Sequence, residues 1–195
     1  MSVLIAILRL ISAILTPVLA VGRHLAWMAM GLMVVVILIQ VFYRYILNAA
    51  LPWPDELARF LMLWMTGLIA ASAYRWGGFV SIEMFPRMLP RRLGLVLLLV
   101  LSMISLLVLV LGLQLGLNHV KSGWLFASSS LKLPLHLVGG SAIPIKLAWM
   151  YMSLPVGLAL LIAVNVELLL KTLAQIIDPD AKLPETPGMV VAGAE

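Results

Sequence analysis

The sequence predicts an all-α integral membrane protein with four transmembrane helices and an N-terminal interfacial amphipathic helix. Three observations carry this. First, 64% of the 195 residues are hydrophobic and only 11% are charged, with a mean hydropathy of +1.14. A soluble domain is about half apolar and about a quarter charged, so this chain cannot cover itself with polar surface in water. Second, four apolar runs each approach or exceed the roughly 20 residues that cross a bilayer. Third, basic residues gather at the ends of those runs, where they meet headgroups and set orientation.

The spans are expected over about 25–46, 55–76, 93–118 and 146–171. In hydrocarbon every backbone polar group must be paired internally, so each span is a helix. Loop one carries Asn48, Pro52 and Pro54 and is short enough to make spans one and two an antiparallel hairpin. Loop two, Arg75 to Arg92, holds Gly77, Gly78, Pro86 and Pro90. Loop three, Asn118 to Lys146, is the longest and is expected to dip into the interface or pack against a partner. Residues 172–195 are expected to form a flexible cytoplasmic tail, because turn formers replace the periodic pattern beyond Asp178.

Residues 1–24 are a separate problem. At 100° per residue Ser2, Arg9, Ser12, Thr16 and Arg23 fall within roughly 80° of one another. The rest of that stretch is nearly all Leu, Ile, Val and Ala. A single polar stripe suits a helix lying in the membrane surface. A further span, or a signal peptide cleaved near Val18-Leu19-Ala20, are the alternatives. With the N-terminus inside, Arg9, Arg23, Arg75, Arg87, Arg91, Arg92, Lys171 and Lys182 lie inside, and Arg44, Arg59, Lys121, Lys132 and Lys146 outside. Eight against five places both termini in the cytoplasm.

Absences narrow the function. There are no cysteines, which removes disulfides, thiolate metal sites and cysteine nucleophiles. His24, His119 and His136 lack ligand-like spacing. No phosphate loop, nucleophile elbow or zinc helix occurs, and no cofactor is expected on this chain. The formal charge of +5 is spread over span ends rather than gathered in an aromatic-interleaved surface, so membrane lipid rather than nucleic acid is the expected partner of the basic residues. No Asp, Glu, Lys, Arg or His stands between the ends of the four spans. Pumps and proton relays usually place such groups mid-membrane, so a self-sufficient ion-coupled transporter is disfavoured.

Polar residues cluster instead at the outer end of the first hairpin. Gln40 and Arg44 share a helix face. Pro54 suits a first helical turn, and Asp55 and Glu56 follow it, where the helix dipole favours negative charge. Arg59 stands four residues after Asp55 and three after Glu56, within pairing reach. Tyr43, Tyr45, Trp53 and Trp64 surround them like an aromatic belt. The cluster is expected to be neutralised, as a solvated anchor of hairpin depth or as an interhelical or intersubunit clamp. Arg75, at the far end of span two, completes the candidate clamp residues. In span three Gly112 and Gly116 allow close helix approach, and Gln114 and Asn118 could bond across helices. In span four Pro155 is expected to free a carbonyl and bend the helix. Asn165, Glu167 and Lys171 near its end are read as approaching the cytoplasm.

The run Val41 to Gly78, VFYRYILNAALPWPDELARFLMLWMTGLIAASAYRWGG, resembles the small, DctQ-type membrane subunit of tripartite ATP-independent periplasmic (TRAP) transporters. Phe42, Arg44, Tyr45, Asn48, Leu51, Trp53, Asp55, Glu56, Ala58, Arg59 and Trp64 carry the resemblance. Tyr151-Met-Ser-Leu-Pro155-Val-Gly157 is similar to that family's fourth-span motif. Asp55 replaces the commoner Glu, and Phe79 stands where His is usual. The resemblance implies a bacterial inner-membrane chain that supports a large many-span subunit. That large subunit would carry the sodium and substrate sites. It also implies docking of a periplasmic substrate-binding protein that delivers an organic acid. A self-contained four-helix transporter or channel is the alternative.

Overall fold

A computed structural model describes residues 2–77, 89–133 and 143–178. Helix α1 is Ser2–Tyr45, α2 Trp53–Arg75 and α3 Arg91–Gly123. Strands β1 (Ala127–Leu133) and β2 (Ile143–Lys146) follow, then the short α4 (Leu147–Tyr151) and α5 (Ser153–Ile177). With α4 and α5 taken together, four segments among the described residues are long and apolar enough to cross a membrane. The four-span expectation therefore holds, although the first segment starts at Leu4 rather than about 25, and the third and fourth end at Gly123 and Ile177 rather than about 118 and 171.

Two expectations are corrected, and loop three holds an element beyond the sequence reading. There is no break near residue 24: α1 runs unbroken for 44 residues, about 66 Å at 1.5 Å per residue. Its Ser12, Thr16 and Arg23 face α2 rather than a headgroup layer. Within loop three β1 and β2 pair antiparallel, with Ala127 opposite Lys146 and an irregularity before Lys132. Residues 172–177 complete α5 instead of starting the tail. The rest of the expected tail, from 179, lies outside the described residues, as do Gly78, Phe79, Pro86, Arg87, Pro134, His136 and the Gly139-Gly140 pair.

Local chemistry explains the helix interruptions. Pro17 sits inside α1 without ending it. In lipid there is no water to reward an open backbone, so the helix continues past the one carbonyl, that of Ala13, which the proline cannot serve. Thr16 Oγ1 donates to the Ser12 carbonyl at 2.7 Å. Pro155 has the opposite effect. It has no N–H for the Tyr151 carbonyl, and the helix is interrupted at Met152 between α4 and α5. Ser153 Oγ donates to the Met150 carbonyl there. The α1–α2 turn uses Asn48 at φ 49°, a left-handed conformation that Asn tolerates better than most residues.

The helices form an open layer in the order α1, α2, α5, α3 rather than a closed bundle. Helices α2 and α5 run parallel at the centre, with α1 antiparallel on one flank and α3 antiparallel on the other. Helix α1 also touches α5. Lipid tails are as apolar as leucine, so burial alone does not drive these contacts; close packing and polar bonds do. At the central crossing a Cβ on Gly67 would stand 2.6 Å from the Ser153 carbonyl oxygen. A Cβ on Gly157 would stand 2.8 Å from the Gly67 Cα. Gly112 and Gly116 are filled by Leu158, Leu154 and Pro155 of α5, so the small-residue spacing in α3 serves an internal contact. Leu15, Leu19, Ala71 and Val164 make the core where α1, α2 and α5 meet.

These approaches set a stability test. Gly157→Val is expected to lower the melting temperature in detergent, by an overpacking cost of about 1–3 kcal/mol. Gly31→Ala should leave it unchanged or higher, because nothing lies within 4 Å of a Cβ there and alanine is the better helix former. Equal behaviour of the two variants would contradict the described α2–α5 crossing.

Candidate functional site

The eight candidate clamp residues do not form one cluster. Arg75 lies 19 residues beyond Glu56 on the same helix, about 28 Å away along its axis. It ends α2 on the side of the molecule that holds the start of α1 and the end of α5. Two sites result, and each is built from different elements.

The inner site is a buried polar knot. Arg75 is 3% exposed and Glu167 of α5 is fully buried. Arg75 Nη2 donates to Glu167 Oε1 at 2.9 Å, and Nε stands 2.8 Å from Oε2. That second contact is electrostatic, since the N–H is not aligned for a hydrogen bond. Arg75 Nη1 also donates to Thr16 Oγ1 at 2.9 Å and Nη2 to Ser12 Oγ at 3.0 Å. Lys171 Nζ reaches Glu167 Oε1 at 3.1 Å from one turn further along α5. One guanidinium therefore ties α1, α2 and α5 together. The planar donor fork of arginine suits this task, and a lysine could not reach all three helices in fixed directions. Asn165 Nδ2 donates to Tyr74 Oη at 3.0 Å beside the knot. Arg23 donates to Ser72 Oγ at 3.4 Å and lies over the Trp76 ring at 4.6 Å.

This corrects the expectation that no ionised group stands within the spans. The sequence placed Arg75 and Glu167 at span ends, but α5 continues to Ile177 and α1 begins at Ser2. Both helices cover the pair. The stripe of Ser12, Thr16 and Arg23 was the signal for it. Polar residues on one face of an apolar helix can face headgroups or a buried charge, and here Ser12 and Thr16 face the charge while Arg23 bonds Ser72 one turn away.

The outer site surrounds the start of α2. Glu56 does not pair with Arg59. Its Oε2 accepts from the Ser130 amide at 3.3 Å and from the Ser130 hydroxyl. The carboxylate so holds the β1–β2 hairpin against the first turn of α2. A two-stranded ribbon is marginal alone, and this charge-assisted contact with a neighbouring helix fixes it. Ser128 Oγ accepts from the Leu131 amide at 2.7 Å, shaping the same irregular stretch. Trp64 donates Nε1 to the Trp149 carbonyl at 3.1 Å, linking α2 to α4. Trp124 packs edge-on to Trp149 at 6.3 Å, and His119 lies 4.3 Å from the Tyr151 ring. These rings make an aromatic belt of the kind found at a membrane interface. It is built around α4 rather than around the charges.

The remaining candidates stay apart. Among the described residues Arg59 and Asp55 are exposed and form no ion pair, although they lie i,i+4 on one face. Arg44 is exposed with its guanidinium 5.9 Å from the Tyr45 ring centre. Gln40 and Trp53 are half-buried. The expected neutral cluster of two arginines and two carboxylates is therefore not formed, because the hairpin takes Glu56. A polar groove of about 340 Å³ opens between Arg59, Asp55 and Ser129 of the hairpin. Among the described residues no group of three His, Asp or Glu could hold a metal ion.

The model of the DctQ component of tripartite ATP-independent periplasmic transporters matches residues 33–175, most of the chain. The chain belongs to this family. No curated protein matches it. The matched stretch holds the outer site and, of the knot, Arg75, Glu167 and Lys171, while Ser12 and Thr16 precede it. A DctQ component is a multi-pass membrane chain, in agreement with the four spanning segments.

Two measurements test the sites. Removing Glu167 strands two cations in the interior, whereas removing Arg75 leaves Lys171 to balance Glu167. Glu167→Leu is thus expected to destabilise more than Arg75→Met, by about 3–5 kcal/mol for the unpaired buried charge. The double variant should recover part of the loss in thermal unfolding. Equal and additive losses would contradict the pair. At the outer site Glu56→Ala should remove hydrogen-exchange protection at the Ser130 amide while α2 stays protected. Unchanged Ser130 protection would mean that the hairpin is held by something else.

Proposed function

We propose that this chain is the small, supporting subunit of a TRAP-type secondary transporter in a bacterial inner membrane. It braces a large many-span subunit and helps dock a periplasmic substrate-binding protein. The large subunit holds the sodium ions and moves the organic acid, and this chain performs no chemistry of its own. The outer groove and the aromatic belt face the periplasm, and both termini lie in the cytoplasm, as the count of basic residues favours.

The observation that carries this reading is the state of the buried charge. Arg75, Glu167 and Lys171 are bound to one another and to hydroxyls of α1. A transport pathway needs ionisable groups that can exchange partners with water or substrate. Groups fixed on three helices by a shared guanidinium suit a structural lock. The open layer supports the same reading, since a self-contained transporter needs walls on every side of its path. Of the outer residues, Glu56 and Trp64 act within the chain, and Arg44, Asp55 and Arg59 are left for partners, with Gln40 and Trp53 beside them.

Purification of the tagged chain from its native membrane in mild detergent tests the proposal. A large many-span protein is expected in equal amount, and liposomes holding this chain alone should show no solute flux. A chain that purifies alone and conducts solute in liposomes would favour the self-contained transporter.

A further inference from the structure

The four spanning segments differ in how apolar they are and in how much this chain covers them. For α3 the most apolar window has a mean hydropathy of 3.1 and 6% of it is buried; for α1 the figures are 2.5 and 11%. For the α4–α5 segment they are 2.1 and 33%. These three follow one rule: the less apolar a helix is, the more of it the protein covers. That rule is expected where lipid solvates the most apolar surfaces at least cost. Helix α2 breaks it. Its window is the least apolar, at 1.4, yet only 17% is buried.

The uncovered surface of α2 is one continuous face. Asp55, Arg59, Met62, Thr66, Ile69 and Ala73 are all exposed and recur every three or four residues. The outer end of this face carries both signs of charge without internal counterions among the described residues. Arg59 lost the carboxylate its spacing offered when the hairpin took Glu56. Below the charges the face turns to small and mixed side chains, which let a neighbouring helix come close.

We infer that this face of α2 seats a spanning helix of the large partner subunit, which presents a carboxylate to Arg59 and a polar or basic group to Asp55. The inference rests on the subunit reading and adds to it which surface is used. The apolar stretches of the exposed α1 and α3 faces are left to lipid. From 25 to 43 in α1 and from 93 to 111 in α3 the exposed residues are apolar, as at Leu38 and Leu107, and exposed polar groups such as Arg9, His24, Arg44, Gln114, Asn118 and Lys121 lie outside those stretches. A charge pair that faces both Arg59 and Asp55 would also fix the partner's register, the best-attested use of such pairs.

The chain has no cysteine, so single cysteines can be placed on each face without background. Thr66→Cys and Ile69→Cys probe the α2 face, and Leu38→Cys and Leu107→Cys probe α1 and α3. Each is labelled with benzophenone maleimide in native membranes that hold the whole complex, photolysed, and its adducts identified by mass. The α2 positions are expected to yield adducts with the large subunit, and Leu38→Cys and Leu107→Cys adducts with lipid. In the same membranes Arg59→Gln should cut the co-purified large subunit by about tenfold or more, while Arg59→Lys keeps most of it. Adducts with the large subunit from α1 or α3 but not from α2 would overturn the inference and leave the subunit reading standing. Lipid adducts alone from the α2 positions would overturn it too, with headgroups then facing Arg59. Failure of the unlabelled wild-type chain to retain any large subunit would remove the subunit reading itself.

Discussion

The pairing of Arg75 with Glu167 is the constraint around which the rest of the structure is arranged. A guanidinium and a carboxylate that are both buried cost several kcal/mol of desolvation each, and their attraction offsets this only when the geometry is good and the remaining polar groups are satisfied. Here Thr16 and Ser12 accept from the two Nη groups of Arg75, and Lys171 adds a second cation to Glu167. That requirement explains why α1 carries hydroxyls at Ser12 and Thr16 in an otherwise apolar run. It explains the direction of α5 as well, which lies parallel to α2 so that Glu167 and Arg75 reach the same level. The Gly67–Gly157 approach, near the middle of α2, then sets how closely the two helices can lie.

An ion pair of this kind does in lipid what a hydrophobic core does in water. Helices in a bilayer gain little from burying leucine against leucine, so α1, α2 and α5 need directional bonds to choose one arrangement. The outer end uses the same device in milder form. Glu56 fixes the hairpin, and Trp64 ties α2 to α4 through a carbonyl near the Pro155 interruption. Both sites spend charge or donors on internal order. This leaves Arg59 and Asp55 as the charged groups of α2 that point away from the chain.

Much of this was legible in the sequence, and the reasons for the misses are physical. The spans were readable because lipid imposes a length and a composition. The outer motif was readable as a cluster of residue types. Its internal pairing was not, because i,i+4 spacing states which groups can meet and not which competitor wins; Ser130, 74 residues away, won Glu56. The knot was missed for a related reason. Arg75, Glu167 and Lys171 stand near the ends of apolar runs, where charges are normally solvated. Only the extension of α1 and α5 past them turns that place into an interior. The hairpin between β1 and β2 left no signal, since ASSSLKL lacks the alternating apolar pattern of a half-buried strand.

The central claim is that the charges inside the membrane lock helices together and do not carry solute. Uptake by the full transporter, with Arg75, Glu167 and Lys171 all replaced by methionine, tests it most directly, once partner retention has been checked in the same membranes. The account predicts uptake close to that of the wild-type complex wherever assembly is retained, because an apolar replacement of a whole buried ion cluster preserves packing. Retained assembly with abolished uptake would contradict it and place these three residues on the path of the ion or the substrate.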